Sequence, residues 1–203
     1  MRFLPGQFVT FYVPRNGATI TRSYSIASEP DTADRFRLCV KRVEGGFVSS
    51  YLCEQSVGKE LNVIGPLGRF LLRDPGDRTV IFVATGTGVG PFVPMLAALL
   101  SEHPNQPTWL FFGSRSEEDL IFRNEFELAA RSHPNFRYVP SLSRPSAGWT
   151  GSTGHIEKPL RQYFPDLSRS DVYICGVPQM VGEVQQLAAD LACPKERTFV
   201  ERY

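Results

Sequence analysis

The sequence predicts a two-domain protein. An N-terminal antiparallel β-barrel is followed by a C-terminal α/β domain on a five-stranded parallel sheet. Three observations predict it. Residues 1–75 hold short β-rich segments separated by turn residues, with one helical stretch among them. Asp74-Pro75-Gly76-Asp77 then interrupts the pattern. After it, apolar runs alternate with helical stretches, as in a parallel sheet covered on both faces. The domains are therefore expected over 1–75 and 76–203.

In the first domain, Gln7 to Val13, Tyr24 to Ala27, Arg35 to Lys41, Leu61 to Ile64 and Arg69 to Leu72 read as strands, being rich in Val, Ile, Phe and Tyr. Turns are expected at Pro14 to Gly17, Pro30 to Asp34 and Gly65 to Gly68. Gly45-Gly46 precedes a helix over about Val48 to Gln55. In the second domain, strands are expected at Thr79 to Ala84, Thr108 to Phe112, Phe136 to Leu142, Asp171 to Cys175 and Thr198 to Glu201. Helices are expected near Pro91 to Leu100, Asn124 to Arg131, Ile156 to Phe164 and Gln179 to Leu191.

Composition removes several function classes. Lys and Arg number 22 against 21 Asp and Glu, a net charge of +1, which argues against a nucleic-acid-binding surface. No apolar run approaches the length of a transmembrane segment, and no signal peptide is visible. Cys39, Cys53, Cys175 and Cys193 are spaced widely and irregularly. They fit reduced, mostly buried thiols of a cytoplasmic protein, not a disulfide framework or an iron–sulfur cluster. With three scattered histidines, no metal site is expected. Oligomeric state leaves no sequence signal here.

Ligands of a doubly wound sheet bind beyond the carboxyl ends of its strands. After the first parallel strand comes Thr85-Gly86-Thr87-Gly88-Val89-Gly90-Pro91. Glycines there let the backbone approach a pyrophosphate, and Pro91 suits the start of a helix whose free N–H groups attract an anion. The second strand ends Gly113-Ser114-Arg115, and Ser143-Arg144 follows the third. A guanidinium in place of an acid favours the 2′-phosphate of NADP, although Glu117 and Glu118 lie close by. In the first domain, Arg22-Ser23-Tyr24-Ser25 and Gly45-Gly46-Phe47-Val48-Ser49 offer a cation, an aromatic face, hydroxyls and a helix start. That set suits a phosphorylated aromatic cofactor.

Together these motifs resemble the ferredoxin–NADP reductase superfamily. Its Arg-x-Tyr-Ser matches Arg22 to Ser25, and its Gly-Gly-x-x-Ser matches Gly45 or Gly46 through Ser49. Gly65 to Phe70, the Gly86, Gly88 and Pro91 loop, Asp119-Leu120 after Gly113 to Arg115, Ser143-Arg144, and Cys175-Gly176-x-Pro178-x-Met180 follow in order. The resemblance covers almost the whole chain. It implies an NAD(P)H-dependent flavoprotein oxidoreductase that passes electrons to a ferredoxin, flavodoxin, oxygenase or haem protein, with FAD favoured over FMN and no metal. It further implies that Arg22 pairs with the flavin phosphate, Tyr24 packs on the isoalloxazine and Ser25 lies near N5. The backbone of Cys39, Val40 and Lys41 flanks the ring, Gly46 to Ser49 bind the pyrophosphate, Gly86 to Gly90 receive the nicotinamide nucleotide, and Cys175 sits by its reacting ring. Ser25 and Cys175 are the expected catalytic residues. A free-flavin reductase and a non-catalytic nucleotide-binding regulatory module are the alternatives.

The family's barrel has six strands, and five are counted here, its opening strand having no counterpart. Gln7 to Val13 is accordingly expected to be an edge with unpaired backbone groups. Tyr203 lies too close to the last strand to take the flavin-covering role of a terminal aromatic in some relatives.

Overall fold

A computed structural model describes residues 2–30 and 35–202. The chain divides into two compact units, Met1–Leu72 with Gly90–Ala98, and Arg73–Val89 with Leu99–Tyr203.

The first unit is built on strands β1 (Phe8–Arg15), β2 (Ala18–Ser25) and β3 (Val63–Leu67), in the antiparallel order β2-β1-β3, with helix α1 (Phe47–Cys53). Alternation along β1 turns Val9, Phe11 and Val13 inward, where they join Ile26 and Val48 in one apolar cluster. Tyr24, Phe36 and Leu38 pack against that cluster.

Three strands form among the described residues where five were expected. The predicted strands at Leu61 to Ile64 and Arg69 to Leu72 are replaced by β3, which runs through the predicted Gly65 to Gly68 turn. Pro66 fits there because β3 is an edge and need not donate from that position. Arg35 to Lys41 forms one antiparallel bridge, Leu38 to Ile26, instead of a strand. β2 begins well before Tyr24, because pairing with β1 recruits Thr19 to Ser23, a stretch in which only Ile20 is apolar. The expected edge is also corrected. Phe8 to Val13 is the central strand, paired on both sides, and the edges are β2 and β3. Most of the Pro30 to Asp34 turn, and Tyr203, lie outside the described residues.

The second unit contains β4 (Thr79–Thr85), β5 (Thr108–Ser114), β6 (Phe136–Leu142), β7 (Ser152–Thr153), β8 (Ser170–Gly176) and β9 (Thr198–Arg202). Their order is β7-β6-β5-β4-β8-β9, all parallel. The sheet has six strands, not five, because the two-residue β7 is too short to leave a periodic signal. Helices are α3 (Arg123–Ser132), α4 (Glu157–Tyr163) and α5 (Pro178–Asp190), while α2 (Phe92–Glu102) is divided between the units, its residues to Ala98 belonging to the first. β8 is buried along its whole length. Ile81, Val83, Val172 and Ile174 pack with Leu160 of α4 and Val181, Val184 and Leu187 of α5.

One charged group lies inside this unit. Asp171 is fully buried between Arg78, whose Nε is 3.0 Å from Oδ1, and Arg197, whose Nη1 is 3.3 Å from Oδ2. Arg78 also donates to the carbonyl of Ser168. A buried carboxylate is tolerable only with such partners.

Candidate functional site

Strand register gathers the predicted nucleotide residues at one end of the sheet. Chain order leaves β4 with β5 on one side and β8 on the other, so the crossover direction reverses between β4 and β8. At such a switch point the loops diverge and leave a crevice at the carboxyl ends. Thr85 is level with Gly113, Ala84 with Cys175, and Cys175 with Glu201.

Beyond Thr85 the chain makes a short 3₁₀ turn, Gly86–Val89, and runs through Gly90 and Pro91 into α2. Gly86 has φ +55°, in the left-handed region. At Gly88 the constraint is space, because an added Cβ would collide with the carbonyl of Cys175. The glycine loop therefore lies directly on the end of β8. Thr87 is half-buried between them in sequence. The Thr85 hydroxyl accepts from the N–H of Val177 at 3.4 Å, which ties the end of β4 to the start of α5.

Helix α5 begins with Pro178 at its first position, has no side-chain cap and carries no acid in its first turn. Its N-terminus favours an anion. Gly176 ends β8, Met180 is buried behind it, and Cys175 is buried with Sγ 3.8 Å from Oε2 of Glu201. Glu201 was not singled out from the sequence. Its signal was available in outline, since a strand ending beside β8 brings its last side chains to the same crevice.

Ser114 and Arg115 close β5, and Ser143 and Arg144 follow β6. The two segments run together: Ser143 N–H donates to Ser114 O at 3.0 Å, and Arg144 N–H to Arg115 O at 2.8 Å. Both guanidiniums are exposed, and among the described residues neither forms an ion pair with an acid. Glu117 is engaged elsewhere, by Arg123 at 3.4 Å and by the hydroxyl of Ser146. The Ser114 hydroxyl donates to the carbonyl of Asp119 at 3.3 Å.

In the first unit, β2 carries Arg22, Ser23, Tyr24 and Ser25 in a row. Arg22 is exposed and donates only locally, to the carbonyl of Thr21 at 2.8 Å. Ser23 shares a hydroxyl–hydroxyl bond with Thr10 at 2.9 Å. Tyr24 meets Phe11 edge-on at 5.9 Å, and burial raises its phenol pKa. Ser25 is buried. Cys39, its thiol pKa raised by burial, and Val40 are partly buried, and Lys41 is exposed.

Gly45 and Gly46 lead into α1, where Phe47 and Val48 open the helix with no side-chain cap and no acid in the first turn. Ser49 is used differently from expectation. Its hydroxyl accepts from Val43 N–H at 3.1 Å and donates to Gly46 O at 3.2 Å, fixing the glycine turn from inside. It is a buried positioning residue for that turn.

These features fit a flavin and a nicotinamide nucleotide. Among the described residues, the first unit offers a cation without an acidic partner, a fixed aromatic and an uncapped helix start. The second offers a glycine loop that leaves no room for a Cβ at Gly88. Residues 1–71 match the family model of the oxidoreductase FAD-binding domain, and residues 82–186 that of the oxidoreductase NAD-binding domain. The chain belongs to the ferredoxin–NADP reductase superfamily. It is 41% identical over 209 residues to ferredoxin–NADP reductase B of Sorangium cellulosum, covering 99% of this chain and 85% of that protein. It is 32% identical over 203 residues to the anthranilate 1,2-dioxygenase electron transfer component of Acinetobacter baylyi, spanning 99% of this chain but 58% of the relative. A crystal structure of an Amycolatopsis cytochrome P450 reductase superposes with a TM-score of 0.91 at 28% identity, over all of this chain and 61% of the other. The chain is an NAD(P)H-dependent flavoprotein reductase of the ferredoxin–NADP reductase type, with FAD as its cofactor. No helix among the described residues is long and apolar enough to cross a membrane.

Proposed function

We propose that this reductase prefers NADPH and delivers electrons to a separate acceptor, a ferredoxin, flavodoxin, oxygenase or haem protein. The observation that carries the nucleotide preference is the pairing of Arg115 with Arg144. Backbone bonding holds the two residues together, their guanidiniums are exposed, and the nearby Glu117 is held by Arg123 and Ser146. Two guanidiniums carried on adjoining, hydrogen-bonded backbone suit a 2′-phosphate and have no comparable use for a ribose hydroxyl. Acceptor type is suggested by relatives named for ferredoxin reduction and for electron transfer in a dioxygenase.

FAD supplies the redox chemistry, accepting hydride from the nicotinamide and releasing electrons onward. The chain supplies binding and placement. Arg22 would pair with the flavin phosphate, Tyr24 would pack on the ring, and Ser25 would lie near N5. Cys39, Val40 and Lys41 flank the ring, and Gly45 to Ser49 form the pyrophosphate turn. Thr85 to Pro91, with Gly176, Pro178 and Met180, cradle the nicotinamide nucleotide, while Ser114, Arg115, Ser143 and Arg144 hold the adenosine end. Cys175, with Glu201 beside it, provides a polar contact next to the nicotinamide. Residues 1–75 and 76–203 act as the flavin and nucleotide domains, in a cytoplasmic protein whose thiols stay reduced. Steady-state kcat/KM for NADPH and NADH tests the reading, and a preference for NADH would refute the nucleotide assignment.

A further inference from the structure

Beside the strand ends assigned to nucleotide, one side-chain cluster stands out, flanking Ile156, which a Cβ on Gly113 would meet at 3.4 Å. His155, Glu157 and Glu183 place one ligand atom each within 4.8 Å of one another. They come from two pieces of backbone, the junction leading into α4 and the early turns of α5. His155 follows Gly154, whose N–H donates to Leu142 O at 2.8 Å and whose carbonyl accepts from the Ser141 hydroxyl at 3.0 Å. Both contacts clamp the approach to His155 onto β6. Glu157 opens α4 just after the buried Ile156. Glu183 lies one turn into α5, and Gln179 donates to its Oε1 at 3.0 Å.

Glu157 and Glu183 meet through a side-chain hydrogen bond, so a proton or a cation must lie between the two carboxyl groups. Helix α5 contains no Lys or Arg. On α4, Arg161 points to Asp190, with the charges 4.0 Å apart. Among the described residues neither Glu157 nor Glu183 has a Lys or Arg within ion-pair distance. Two carboxyl groups from adjacent helices are therefore held together beside an imidazole. One imidazole nitrogen with two carboxylate oxygens is a donor set for borderline divalent metals, and Gln179 supplies the outer hydrogen bond that orients a ligating carboxylate.

We propose that His155, Glu157 and Glu183 form a zinc-class divalent metal site bridging α4 to α5. Three protein ligands leave a coordination position for water, and nitrogen in the set disfavours magnesium. Its three residues carry no flavin or nucleotide role in the reading above, and its test needs no turnover.

The experiment uses the flavin-loaded protein in a Cys53→Ser background, which removes the exposed thiol as a competing ligand. After chelator treatment and buffer exchange, zinc chloride is titrated by calorimetry, with magnesium chloride as the control. The proposal expects saturable equimolar zinc binding, none by magnesium, and at least tenfold weaker binding in both His155→Ala and Glu183→Gln. Zinc should also raise the Tm of the parent and of neither variant. If His155→Ala folds poorly, Glu183→Gln alone decides, because it keeps the shape of the side chain. Absence of saturable binding, or zinc affinity in Glu183→Gln within tenfold of the parent, overturns the proposal.

Discussion

Cys175 and Glu201 occupy level positions on the adjacent parallel strands β8 and β9, with Sγ 3.8 Å from Oε2. Chain separation hides this pair in the sequence, and register creates it. The thiol is buried at the end of its strand while the carboxylate is partly exposed. A polar pair therefore stands where the nucleotide crevice opens.

If that pair touches the nicotinamide, Cys175→Ser and Glu201→Gln should each keep flavin and fold yet slow hydride transfer. A loss of about tenfold corresponds to ~1.4 kcal/mol of barrier. Anaerobic stopped-flow reduction of the flavin measures it. Wild-type rates in both variants would make the pair a packing feature of the strand ends.

Gly86→Ala and Gly88→Ala should differ although they lie two residues apart. An alanine at Gly86 meets open space and only a left-handed backbone, at a cost of about 1 kcal/mol. At Gly88 the new methyl meets the Cys175 carbonyl, which is held in the sheet, so roughly 2 kcal/mol or more should be lost as backbone shifts. Urea denaturation compares them, and equal stabilities would deny the close approach of loop and strand.

Asp171→Ala should destabilise the second unit by about 3 kcal/mol, because it leaves Arg78 and Arg197 without their shared buried partner. The exposed pair of Arg42 and Glu54 is the control, and Glu54→Ala should change stability by about 0.5 kcal/mol or less. Thermal or urea unfolding separates the two cases.

Arg115→Ala and Arg144→Ala should each lower kcat/KM for NADPH by about ten- to a hundredfold, matching the ~1.5–3 kcal/mol of a hydrogen bond to a charged group. NADH kinetics should hardly move. An unchanged NADPH-to-NADH ratio would make both guanidiniums solvated surface groups.

The second unit was more legible than the first, for a physical reason. Each central strand there is a continuous apolar run, as at Val80 to Ala84, and each is followed by a helix, so strand type and order followed from local pattern. β7 escaped because two residues carry no period. In the first unit, β2 depends on pairing with β1 across the Asn16-Gly17 turn rather than on its own composition. The Gly65-Pro66 pair suggested a turn but sits in an edge strand. Motifs located the glycine loop, Arg22 to Ser25 and Cys175 without help from tertiary structure. Glu201, the inward use of Ser49 and the engagement of Glu117 depend on contacts between distant segments, which no local pattern encodes.

The account depends most on Arg22 and Tyr24 holding a flavin that the nucleotide reduces. Arg22→Ala should weaken FAD binding by about ten- to a hundredfold, since an arginine–phosphate bond contributes roughly 1.5–3 kcal/mol. The most direct measurement is the visible spectrum of the purified protein, taken anaerobically before and after adding NADPH. The account predicts equimolar bound FAD whose absorbance bleaches on addition, and a largely colourless Arg22→Ala protein. A wild-type protein without flavin, or a bound flavin that NADPH and NADH both leave oxidised, would contradict it.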